Sequence, residues 1–364
     1  MKRLLVLICS VFFINTVMAQ EVTLTNTFGA DVDNTSTRDF ILVDSNGNKN
    51  SMLIGDRIQL DVGTEDFDGR VRLNFSSDKT FSLKGYGNVR PVKYLNIAAG
   101  NYFFWKWSID SAYLMATEDF LSHGKLLDDD GVGAVLNFDT DKVIYQVAGG
   151  IGASADTDAN FGLQIKIKDI SSSFGATFQN VTENKRTISA YASTSIIPNF
   201  TFNIGYIYNP TDTWYICGQQ NSIDYCKHLY TTVSQSSTQH LIQASVGYTY
   251  EKFGAYTDLM IGLNNKYYNN GNFDSKLNDG IPVYAAIKVS YNVLDNVVIS
   301  TQCKYNHWLG TDKSYDAFSV YPMVSYTTKK VGTFNVGARI FFNAEDGFNG
   351  FNIPFTWKYK FTIM

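Results

Sequence analysis

Four histidines, His123, His228, His240 and His307, are the side chains whose ordinary pKa suits proton transfer near neutral pH. Asn306-His307-Trp308 ends an alternating segment and is the best placed of them for a serine–histidine pair. Such a pair needs a third polar group to orient the ring, and no partner is identified by spacing, so His307 reads as polar rim. Asp128-Asp129-Asp130 suggests calcium, yet it lacks the spaced oxygen ligands and central glycine of a dedicated loop. It reads as a solvated acidic run. Gly149-Gly150-Ile151-Gly152 has phosphate-loop composition but no helix follows it, so it reads as a strand approached closely by a neighbour. Cys217 and Cys226 share one polar stretch, Trp214 to Ser237, and are expected to close a small loop as a disulfide. Zinc is the alternative, with only His228 nearby and two ligands short. Cys303 falls in a strand pattern as a small half-buried hydrophobe. These residues give no catalytic set, no metal set and no cofactor site.

The chemistry that the spacing does support is electrostatic. Arg57, Arg70, Arg72, Lys84, Arg90, Lys166, Lys168, Lys288, Lys304, Arg339, Lys358 and Lys360 fall in phase with the polar positions of alternating segments. Only Asp61 and Asp258 are acids in that phase. The excess of positive charge on one face contrasts with the whole chain, whose net charge is −4. Rings of Arg and Lys inside a pore favour anions.

The elements carrying these charges are strands. Phe200, Phe202, Ile204, Tyr206 and Tyr208 alternate with Thr201, Asn203, Gly205, Ile207 and Asn209. Ile353, Phe355, Trp357, Tyr359 and Phe361 alternate with Pro354, Thr356, Lys358 and Lys360. This period of two recurs along the chain and predicts strands near 22–32, 52–63, 70–78, 81–91, 94–104, 131–139, 142–152, 160–169, 172–181, 186–196, 199–209, 239–250, 253–264, 282–293, 296–308, 317–328, 332–343 and 351–361. Several run ten to thirteen residues, enough for a tilted strand to cross a bilayer, which takes about 9–11. Short links such as Thr140-Asp141, Ile197-Pro198, Glu251-Lys252 and Leu294-Asp295-Asn296 alternate with longer ones near 33–51, 105–130, 210–238, 265–281 and 309–316. An antiparallel barrel of 16–18 strands is therefore expected, closed by its first and last strands so that no edge is left. A charge facing lipid at mid-depth costs roughly 2–4 kcal/mol, which assigns the polar face to the lumen.

Composition agrees. Apolar residues make up 45% and aromatics 15% of the 364 residues, too much for disorder. Mean hydropathy is −0.13, and the body of the chain has no long apolar run, which excludes a helical membrane bundle. A pI near 5.6 disfavours nucleic acid as a partner. Lys2 and Arg3, the apolar run Leu4 to Ile14, and Val17-Met18-Ala19 predict a signal peptide over 1–19, cut before Gln20. Losing Lys2 and Arg3 takes the net charge from −4 to −6.

With its signal, alternating strands, short turns and long loops, the chain resembles a bacterial outer-membrane porin. The stretch Tyr86-Gly-Asn-Val-Arg-Pro-Val-Lys-Tyr-Leu-Asn-Ile-Ala-Ala-Gly100-Asn-Tyr102 is similar to the strand, short turn and strand hairpin of such proteins. The resemblance implies an all-β transmembrane barrel over 20–364 with short periplasmic turns and long external loops, located in the outer membrane. It implies passive diffusion of small hydrophilic solutes and ions, and as partners membrane lipid, the barrel-assembly machinery and two further copies in a homotrimer. In trimeric porins the third external loop folds inward. Here that loop is 105–130, which carries Trp105, Trp107, Tyr113, Leu114, Met115 and Phe120 with the acids Glu118, Asp119, Asp128, Asp129 and Asp130. The expectation is a constriction in which these acids face the basic lumen residues Arg57, Arg72, Lys288, Lys304 and Arg339, with Lys166 also lining the pore. The alternative is a barrel acting mainly as a surface adhesin or antigen, for which long loops are natural binding surfaces.

Overall fold

The computed structural model describes residues 19–33, 41–43, 53–64, 66–75, 81–100, 131–152, 159–179, 181, 186–208, 235–269, 272–273, 281–309, 317–343 and 347–362. All the secondary structure in these residues is strand, in one antiparallel sheet. The wall is built, in chain order, from β1 (Ala19–Asp33), β3 (Leu53–Gly63), β4 (Phe67–Phe75), β5 (Phe81–Val92), β6 (Leu95–Gly100), β7 (Gly131–Asp139), β8 (Val143–Gly152), β9 (Ala159–Ile167) and β10 (Ser172–Gln179). It continues through β11 (Thr187–Thr194), β12 (Phe200–Tyr208), β13 (Gln235–Tyr250), β14 (Phe253–Asn269), β16 (Ile281–Leu294), β17 (Val297–Leu309), β18 (Ala317–Thr328), the pair β19 (Gly332–Gly337) and β20 (Arg339–Asn343), and β21 (Gly347–Thr362). Two short segments, β2 (Ile41–Val43) and β15 (Asn272–Phe273), add to the ends of β1 and β14. Neither was expected, since three and two residues carry no readable period.

The sheet closes on itself. β1 pairs with β3 on one side and with β21 on the other, so that Thr25 stands opposite both Arg57 and Lys360. Taking β19 and β20 as one interrupted strand gives a closed wall of 18 among the described residues, the upper end of the expected range. A barrel of 16–18 strands leaves an aqueous channel.

The break between β19 and β20 has a local cause. Ala338 donates its N–H to Pro322 O at 3.0 Å, but Pro322 on β18 has no N–H to return. The ladder therefore loses one bond there, and the strand expected at 332–343 is recorded as two. The expected 70–78 strand lies three residues earlier, at Phe67–Phe75. A tight turn displaces it: Thr64 N donates to Phe67 O at 2.6 Å, and Phe67 N returns a bond to Thr64 Oγ1 at 3.1 Å.

The turns β3–β4, β5–β6, β7–β8, β9–β10, β11–β12, β13–β14, β16–β17 and β18–β19 fall at one end and are short. Thr140 closes β7–β8 in the same way as Thr64, with Val143 N on Thr140 Oγ1 at 3.0 Å. Ser171, Asn199 and Glu251 take positive φ at three other turns of this end. The outer face is apolar over the height of the wall: Val132, Val147, Ile151 and Ile204 are each more than half exposed. Aromatics collect near the short turns. Tyr94 stacks on Phe138 at 5.3 Å, Phe200 meets Tyr248 at 4.7 Å, and Trp357 Nε1 donates to Val331 O at 2.6 Å. No helix among the described residues is long and apolar enough to cross a membrane.

Candidate functional site: the inner wall

Alternation sends every second side chain inward. On β3–β5 these are Gln59, Asp61, Asp68, Arg70, Arg72, Tyr86, Asn88 and Arg90, joined by register across three strands. Burying charge costs heavily unless it is paired and hydrogen-bonded, and the pairing here is dense. Arg70 forms an ion pair with Asp61, which also accepts from Gln59 Nε2 at 2.6 Å. Arg72, buried, donates through Nε and Nη2 to Gln59 Oε1 at 3.0 and 2.7 Å. Asp68 is held by Arg90, by Asn88 Nδ2 at 2.5 Å and by Tyr86 OH at 3.3 Å. Arg90 also reaches Thr64 O at 3.1 Å, so its head lies at the short-turn rim.

This corrects the charge reading. Asp68 joins Asp61 and Asp258 on the inner face because β4 begins at Phe67 rather than at residue 70. Glu21 also holds a register position opposite Asp61. The excess of base over acid on that face is therefore smaller than the sequence phase suggested. At least two of its arginines, Arg70 and Arg90, have carboxylate partners.

The remaining basic candidates lie as follows. Arg57 sits on β3 opposite Asn74, and Lys288 on β16 opposite Tyr256 and Gln302. Lys304 lies on β17 opposite Ala286 and Ser319. The Arg339 guanidinium lies over the Tyr321 ring, 4.7 Å from its centroid. Pairing order places Lys288, Lys304, Arg339, Arg57 and Arg72 on one arc, β16–β17–β18–β20–β21–β1–β3–β4. Lys166 is on β9, on the far side of the wall. Lys168 bonds Asp139 at 2.6 Å on the exposed turn end. The acids Glu118, Asp119, Asp128, Asp129 and Asp130, the cysteines Cys217 and Cys226, and the signal segment lie outside the described residues.

Sequence phase missed two features. The first is the set of inward tyrosines seated on glycines of the adjoining strand. Tyr191 lies against Gly175, and its hydroxyl accepts from Gln164 Nε2. Tyr256 packs on Gly247, where a Cβ would stand 3.0 Å from the ring, and Tyr321 lies beside Gly337, where a Cβ would stand 2.5 Å from its ring. Glycine opposite an aromatic in antiparallel register is the signal that reveals the first two, whereas Gly337 stands opposite Met323, two places from Tyr321 on β18. The second is an apolar patch: Ile207 opposite Leu241 in register, with Met260 opposite Tyr284 beside them, all buried and facing inward. Asp258 sits next to it, fully buried, opposite Ser245 and Ala286.

The candidate catalytic histidine faces away from the lumen. His307 stacks on Tyr305 at 5.9 Å on the outer wall, and His240 accepts or donates through Nδ1 to Tyr206 OH at 2.8 Å on the same face. Gly149 behaves as expected for a strand glycine, since a Cβ there meets the Phe161 ring at 3.1 Å. Cys303 is half-buried with a free thiol. No group of three metal-ligating side chains occurs among the described residues.

Comparison with known proteins gives one kind of match. No family model matches the chain, and no curated relative does. Among solved structures, Pseudomonas aeruginosa OpdO superposes with a TM-score of 0.58 at 9% identity, covering 95% of this chain and 98% of that one. OprD of the same organism gives 0.56 at 12% identity, with 95% and 96% covered. OpdL gives 0.57 at 8% identity, with 95% and 99% covered. A closed 18-strand wall, apolar outside and charged inside, thus has, over nearly its whole length, the antiparallel β-barrel fold of OpdO, OprD and OpdL.

Proposed function

We propose that the chain is an outer-membrane porin passing small hydrophilic solutes and ions by passive diffusion, with a preference for anions. One observation carries the reading: the arc from β16 to β4 gathers Lys288, Lys304, Arg339, Arg57 and Arg72 at positions in phase with the inner face. A low-dielectric wall with an excess of one sign of charge focuses its field into the channel. Diffusing anions then meet an attractive side and cations a repulsive one.

The loop 105–130 completes the proposal. Its tryptophans and its Tyr113, Leu114 and Phe120 suit an apolar surface, and the inward patch at Ile207, Leu241 and Met260 offers one. Folded against that patch, the loop narrows the pore and sets Glu118, Asp119 and Asp128 to Asp130 across from the basic arc. Membrane lipid, the barrel-assembly machinery and two further copies in a homotrimer are the partners this reading carries.

Planar-bilayer recording tests it. Stepwise conductance and a reversal potential of anionic sign in a salt gradient are expected. A folded barrel that never conducts would instead favour a surface-adhesion role, and a cation-selective channel would remove the basic-arc mechanism.

A further inference from the structure

On the lipid face of β16–β20 the wall is hollowed. Val289, Thr301, Pro322 and Ala338 form one row of outward positions across the four strands. Tyr291, Ile299, Val324 and Val336 stand on the short-turn side, each well exposed. Ile287, Cys303, Val320 and Ile340 form the next row on the other side. Between this row and the Tyr291–Val336 row lies a trough of about 530 Å³. Successive outward positions are about 7 Å apart along a strand, so the trough is one hydrocarbon chain wide.

Its height in the wall follows from the same geometry. The row lies four to six residues above the turns joining β16 to β17 and β18 to β19. At about 3.3 Å per residue and a tilt near 40°, that is roughly 10–15 Å, within the periplasmic half of an apolar belt about 25 Å tall. The turn below the trough, between β18 and β19, is dibasic: Lys329 and Lys330 are both exposed. That turn is fixed in place. Val331 N donates to Thr328 Oγ1 at 3.1 Å, and Trp357 Nε1 caps Val331 O.

We propose that the trough and the Lys329–Lys330 turn together bind one anionic phospholipid of the periplasmic leaflet, its acyl chain along Val289–Ala338 and its phosphate on the two ammonium groups. The proposal rests on the barrel being inserted in the outer membrane. Clustered lysines at a membrane surface select anionic headgroups, and the hollow above them takes the chain that such a headgroup carries. A neighbouring copy of the protein fits less well, because its backbone is too broad to enter a trough one chain wide.

Native mass spectrometry of the purified full chain tests the site, using phosphatidylglycerol and phosphatidylcholine of identical acyl chains. The wild type is expected to hold one phosphatidylglycerol and at least fivefold less phosphatidylcholine. Ala338→Phe fills the trough and is expected to lower phosphatidylglycerol retention at least fivefold, and Val289→Phe does the same from a second strand if the first variant fails to fold. The double change K329Q/K330Q is expected to reduce phosphatidylglycerol to the phosphatidylcholine level. Equal retention of the two lipids by the wild type, or unchanged retention in a folded trough-filling variant, would overturn the proposal. A dimer mass that disappears in Ala338→Phe would also overturn it, giving the trough to a second copy. Heat-modifiable gel mobility serves as the folding control. Its absence in the wild type would strike the barrel reading itself, a failure distinct from lost lipid selectivity in a folded barrel.

Discussion

Arg339 and Tyr321 form a stacked pair on the inner wall, the guanidinium 4.7 Å from the ring centroid. The ring itself lies beside Gly337, where a Cβ would stand 2.5 Å from Tyr321 Cε2 and 2.6 Å from Pro322 O. Flat packing of the ring lets the cation spread along the wall rather than across the lumen, and the π-face holds it there. Backbone, ring and charge thus form one unit at the centre of the basic arc.

Gly337→Ala is expected to destabilise the barrel by about 1–3 kcal/mol, the usual cost of overpacking. The midpoint temperature of the heat-modifiable mobility shift measures it. Gly87→Ala is the control, because its nearest neighbour is the Phe67 ring at 3.7 Å; that variant is expected to leave the midpoint nearly unchanged.

Replacing Arg57, Lys288 and Arg339 together by Gln is expected to lower anion preference and alter conductance. Lys166→Gln alone, on β9 across the wall, is expected to do less. Salt-gradient reversal potentials separate the two. An unchanged potential in the triple variant would remove the basic-arc mechanism while leaving the channel intact.

Asp61→Asn removes the counter-charge of Arg70. The reversal potential is expected to move further toward anions, whereas Arg70→Gln is expected to move it back. If both changes shift selectivity in the same direction, the Asp61–Arg70 pair does not shape the lumen field.

Cys217 and Cys226 are expected to be joined in the mature protein, since exported chains meet an oxidising compartment. Peptide mapping without reductant is expected to recover the linked pair, and alkylation of both thiols in native protein would count against it.

The sequence determined the strand series almost alone. A period of two depends only on neighbouring residues, so the wall segments, their alternating link lengths and the closed antiparallel barrel were legible without coordinates. The inner face was legible for the same reason, because a charge toward lipid is too costly to sustain. What escaped depended on turn geometry and on cross-strand register. Asp68 entered the lumen only because a Thr64 turn shifted β4 by three residues. Asp61 and Arg70, nine residues apart, met through register. Ala338 keeps only one of two ladder bonds, because its partner sixteen residues away on the facing strand is Pro322. Ile207 and Leu241 are apolar residues in the inward phase, and only pairing shows that they stand side by side inside the wall. Local alternation fixes which way a side chain points, but only cross-strand register decides what it meets.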